Sequence, residues 1–132
     1  RASRSQVVGA FFEHDANVTF SSDTVTGDEL HRSNPFIGIE MSMTRREYGA
    51  GPEAPVLSPA NAAVSLEQAL IAYTRNGAAQ LGIADTAGVL QPGAQADFVV
   101  LDANPFEVEI DKLHRVSPAA TVSDGQLVYG NL

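Results

Sequence analysis

The chain has 132 residues, 44% of them hydrophobic and 18% charged, with a net charge of −8, a pI near 4.6 and no cysteine. That acidity argues against nucleic acid and anionic membrane surfaces as partners, and the lack of cysteine removes disulfides and thiolate metal sites from this chain. No apolar run approaches the ~20 residues of a membrane-spanning helix, and residues 1–6 are polar, without signal-peptide character; the expected setting is cytoplasmic.

Residues 7–12 read as a first strand, and residues 17–20 as a second, shorter one that ends at Ser21-Ser22-Asp23. Between them, His14-Asp15-Ala16 is turn composition. Residues 24–59 are rich in Gly, Pro, Ser and charges, and only the stretch from Phe36 to Met43 is apolar enough to pack. A region of that length without periodicity is usually functional or disordered. The clearest helix covers residues 66–81. Ser65 suits its N-cap and Gln68 the capping-box position, which satisfies two orphan backbone donors reciprocally. Leu66, Ala69, Leu70, Tyr73 and Ala78 recur at helical spacing, and Gly82 suits the stop. Asn76-Gly77 is an irregularity costing about 1 kcal/mol relative to alanine, with the glycine admitting a close neighbour.

The remainder reads as strands and turns. Gly88 and Pro92-Gly93 are turn signals; the glycine-rich stretch lacks the spacing and lysine of a phosphate loop. Phe98 to Leu101 is an unbroken apolar run framed by Asp97 and Asp102, which reads as a strand covered on both faces. Asn104-Pro105 stops it. Asp124-Gly125 between two apolar stretches is a strong hairpin signal. A two-residue loop there pairs Val122 with Leu127 and Ala120 with Tyr129, giving one apolar face.

Gly88, Leu90, Gly93, Ala96, Asp97, Val99, Val100, Leu101 and Asp102, followed by Val122, Gly125, Val128 and Tyr129, resemble the C-terminal signature of the amidohydrolase superfamily. The resemblance continues upstream, in order, through Ser21-Ser22-Asp23, Met43-Thr44-Arg45 and the stretch from Leu66 to Ala78. It is similar to the family 3-like branch of imidazolonepropionase-type and N-acyl hydrolases, and covers residues 7–129. The fold this implies is α/β with a β-rich C-terminus: the end of a metal-dependent-hydrolase (β/α)8 barrel in residues 1–84, and the C-terminal portion of a composite β-sandwich in residues 85–132. Such a barrel needs roughly 200 residues or more, so the chain is expected to be the C-terminal fragment of a longer enzyme.

That enzyme would hydrolyse a C–N bond of a small amide or cyclic amide. The resemblance gives Asp23 two roles, as a metal ligand and as the general acid/base at a strand's C-terminal end, where barrel active sites are assembled. A carboxylate suits that work because it accepts a proton from metal-activated water. Ser-Ser-Asp-Thr alone is equally good Asx-turn or N-cap composition. Arg45 matches a recurring arginine that would bind a substrate carboxylate or pair with a structural acid. The implied cofactor is a divalent metal, zinc by expectation, in the full-length protein. His14, His31 and His114 form no His-x-His pair and read as surface or turn residues; one aspartate cannot hold a zinc ion that takes four ligands. The fragment alone is therefore expected to be inactive and metal-free. Asp97 and Asp102 read as turn and backbone-capping residues. Missing barrel and sandwich neighbours would leave the β region open to homo-oligomerisation. The competing reading is a non-catalytic, β-rich structural or regulatory binding module.

Overall fold

Asn34-Pro35 sets the longest helix. In the computed structural model, which describes residues 7–132, the Asn34 side chain accepts the Phe36 N–H at 3.0 Å. Pro35 takes the first helical turn of α2 (Pro35–Thr44), where a missing N–H costs nothing. The helix ends at Arg45, whose φ of 56° is left-handed. Phe36, Ile37, Ile39 and Glu40 are all buried, so α2 is covered on more than one side. The apolar stretch expected to pack within residues 24–59 does so, as the central helix. It follows a 3-10 helix, Gly27–Ser33.

Residues 7–12 do not form a strand. They wind into α1 (Val8–Glu13). A short apolar run is compatible with either state, and packing decides: Val8 and Phe12, four residues apart, both meet the core. Gly9 lies so close to residues 62 and 63 that an added Cβ would sit 3.0 Å from either carbonyl oxygen. Residues 17–20 are extended but pair with no strand. The described residues before Phe98 contain no ladder.

The helix expected over residues 66–81 is two helices, α3 (Leu66–Tyr73) and α4 (Arg75–Gln80). The capping box forms as read: Gln68 N–H donates to Ser65 Oγ at 3.1 Å and Ser65 N–H to Gln68 Oε1 at 2.9 Å. The break falls at Thr74, with φ −118° and ψ −93°, before the Asn76-Gly77 irregularity. There the Thr74 hydroxyl donates back to the Leu70 carbonyl at 2.8 Å, a competitor of regular helix bonding. Gly77 has no close neighbour; a Cβ there would meet only the Ala72 oxygen, at 3.9 Å. Close approach is admitted instead at Gly38, beneath the Tyr73 hydroxyl, and at Gly88, against α4, as it is at Gly9.

The sheet is antiparallel, in the order β1 (Phe98–Leu101), β2 (Pro118–Ser123), β3 (Gln126–Gly130). Asp124 and Gly125, with φ of 50° and 74°, make the two-residue turn that matches strand twist. Val122 pairs with Leu127 as expected, but Ala120 pairs with Gly130 rather than with Tyr129. Val128 is an extra residue in β3, a bulge that shifts every pair beyond it. Nor is β1 covered on both faces: Val99 is 51% and Val100 39% exposed. The framing aspartates do cap backbone. Asp97 accepts the Asp124 N–H at 2.7 Å and Asp102 the Ser117 N–H at 2.9 Å.

One core joins both regions of the chain. Phe36 and Ile39 of α2, Val64, and Leu66 and Ala69 of α3 cluster with Leu113 and Val116; Leu101 and Val108 pack against that cluster. Leu113 belongs to a 3-10 helix, Ile110–Arg115, that lies against α2. Gly88→Ala should be costly. Its φ is +88°, and the new Cβ would lie 2.7 Å from the Ala78 Cβ and 3.0 Å from the Arg75 Cα. Overpacking plus a left-handed side chain should remove roughly 2 to 4 kcal/mol, read from the urea midpoint.

Candidate active site

Asp23 stands at the end of a tethered extended segment. Asn76 Nδ2 donates to the Val18 carbonyl at 2.9 Å, and Thr19 Oγ1 donates to Gln80 Oε1 at 2.6 Å. Phe20 N–H reaches the Ala72 carbonyl at 3.4 Å. The Phe20 ring meets Tyr73 edge-on at 5.6 Å, and burial pushes the Tyr73 phenol pKa up. Side chains and one helix end thus do for residues 17–20 what a neighbouring strand would do. Three residues on, Asp23 is exposed and adopts φ 49°, a left-handed conformation that aspartate tolerates better than most residues. Among the described residues nothing engages its carboxylate. The adjacent Thr24 hydroxyl is buried and without a partner there.

Arg45 is placed differently from a residue at a site mouth. It is 6% exposed, at the left-handed end of α2, and its carbonyl accepts the Leu57 N–H at 2.7 Å. Asp23 and Arg45 are separated in sequence by the 3-10 helix and α2. No group of three or more His, Asp or Glu side chains gathers at metal-binding distance among the described residues. Asp23 on its own does not fit a metal ion requiring four ligands. A cleft of about 320 Å³, lined by Tyr73, Ala78, Leu81, Ile83, Val89 and Asp97, is mostly apolar and does not include Asp23.

The best-connected polar cluster escaped the sequence reading. His14 and His31 are exposed, but His114 is not an ordinary surface residue. Its Nδ1 lies 2.7 Å from Glu40 Oε2, the same oxygen that accepts its backbone N–H at 3.0 Å. Its carbonyl accepts Asn34 Nδ2 at 3.1 Å. Tyr48 meets the His114 ring edge-on at 5.3 Å and stacks on His31 at 5.9 Å. The available signal was Glu40 itself, a charge inside the only apolar stretch of residues 24–59. Such a residue needs a buried partner.

Residues 1–129 match the profile of the amidohydrolase family, and the chain belongs to that family. Among curated relatives, an imidazolonepropionase of Porphyromonas gingivalis is 37% identical over 68 residues, covering 52% of this chain and 16% of that protein. An imidazolonepropionase of Shewanella loihica is 56% identical over 68 residues, or 48% of this chain and 15% of that protein. The amidohydrolase YtcJ of Bacillus subtilis is 28% identical over 100 residues, or 73% of this chain and 18% of that protein. The chain therefore spans about a sixth of the length of the relatives it matches. No solved structure gives a significant match. Among the described residues no helix is long and apolar enough to cross a membrane.

Glu40→Ala should destabilise the fold by roughly 1 to 3 kcal/mol, because it strands two part-buried His114 donors without an acceptor. Denaturant titration checks this, and a change within error would show that water replaces the carboxylate freely.

Proposed function

We propose that this chain is the C-terminal part of a metal-dependent amidohydrolase that hydrolyses C–N bonds in small amide or cyclic-amide substrates. In this reading residues 1–84 form the end of a (β/α)8 barrel, and residues 85–132 form the C-terminal share of a composite β-sandwich. The observation that carries it is Asp23: an exposed carboxylate with no competing partner among the described residues, at the end of a tethered extended segment, inside a family match covering residues 1–129.

Asp23 acts as general acid/base. Its carboxylate takes a proton from the attacking water and delivers it to the leaving nitrogen, so water is split across the C–N bond and the carboxylate is regenerated. Arg45 is the proposed substrate-binding residue. The cofactor is a divalent metal, zinc in this proposal, which would activate the water. Asp23 is the one ligand this chain contributes, and the full-length protein supplies the rest. The protein works in the cytoplasm on small molecules, not on nucleic acid or membranes.

A second reading, a non-catalytic β-rich binding module, is favoured by the open sheet, where Val99, Leu127, Val128 and Tyr129 are 48–61% exposed. Under the first reading that surface would support self-association through the β region.

In the full-length protein, Asp23→Asn should lower turnover by about 10²- to 10⁴-fold with metal content nearly unchanged. Turnover close to wild type would remove Asp23 from the mechanism. The 132-residue chain alone should hydrolyse nothing, bind no zinc at micromolar concentration and run as a dimer or higher oligomer in light scattering. A tight stoichiometric zinc site would overturn its reading as an incomplete enzyme.

A further inference from the structure

Ile110, Leu113 and Val116 repeat every three residues, the period of the 3-10 helix Ile110–Arg115 that carries the first two. Leu113 is 1% and Val116 3% exposed against α2 and α3, whereas Ile110 is 44% exposed. Burial is non-directional. A slip of three residues would seat Ile110 where Leu113 lies, and Leu113 where Val116 lies, with little change in apolar content.

Only that direction is open. Pro118 is pinned beside Leu101 by the sheet, and the single residue between Val116 and β2, Ser117, holds no slack for the opposite slip. The stretch from Asp102 to Glu109, by contrast, is turns and bends that can be drawn out to span the same distance with three fewer residues.

The slip that apolar packing permits would carry Asp111 to the position of His114. In the observed register Glu40, 8% exposed, receives two N–H groups from His114. In the slipped register it would face a second carboxylate away from water, and like charges in a poorly solvated site are strongly unfavourable. We infer that Glu40 is a register selector: it accepts His114 and rejects Asp111, and so fixes how the C-terminal segment docks on α2. Asn34 adds to the selection by holding the His114 carbonyl. The inference does not depend on the proposed catalytic role of Asp23.

The test is Asp111→His in the 132-residue chain, a change at an exposed position that offers Glu40 a histidine in both registers. Wild type should give one set of backbone amide NMR signals for residues 110–117, and Asp111→His a second set in which the Ile110 methyl groups contact the core. Glu40→Met removes both the attraction and the repulsion, and should also give two sets; His114→Asn keeps a donor near the Nδ1 position and should give one. A single native set in Asp111→His would overturn the inference. So would two sets in the wild type.

Discussion

The contact between α2 and the segment around Leu113 is the constraint on which the other packing depends. The three-stranded sheet is nearly all surface; β3 has no buried residue, and Val122 and Ala120 of β2 are its only deeply covered side chains. A sheet of this size gains little stability by itself. It is held to the helices through Leu101 of β1 and through Leu113 and Val116 just before β2, which meet the same cluster as Phe36, Ile39, Val64 and Leu66. Remove that contact and β1 to β3 would be a hairpin plus one strand, with no layer behind them. The helices depend on it in turn, since the loss of that contact would uncover buried apolar residues of α2 such as Phe36 and Ile39.

Local chemistry was legible in the sequence wherever neighbours in the chain settle the structure. The Ser65–Gln68 capping box and the Asp124-Gly125 turn depend on atoms a few residues apart, whereas the capping roles of Asp97 and Asp102 were legible by residue type although their partners lie across the sheet. Errors appeared where distant packing decides. Residues 7–12 have strand-like composition, yet Gly9 fits only against the backbone of residues 62 and 63, a contact no local pattern announces. The apolar run of β1 suggested two covered faces, but a run records what a residue can bury, not what lies above it. The bulge at Val128 is silent for the same reason: no residue type marks it, and the terminal Gly130 accepts the shifted pairing.

The candidate site was legible as a motif and not as an assembly. Ser21-Ser22-Asp23 marks the carboxylate. The anchors behind it, Asn76 on Val18 and Phe20 on Tyr73, link positions more than 50 residues apart. His114 shows the converse. With an exposed histidine as the usual case, its burial was visible only from its partner, Glu40, 74 residues away.

The bulge in β3 has a consequence for how copies of this chain can meet. A flat, regular edge is a template that extends indefinitely, because each added strand presents the same row of donors and acceptors. Val128 interrupts that row after two pairs, and its extra residue increases the local twist. A second molecule can dock beside the turn-proximal residues, but a third cannot continue the same ladder in step. The irregularity therefore works against fibril growth along the β3 edge, where the exposed Leu127, Val128 and Tyr129 would otherwise invite it.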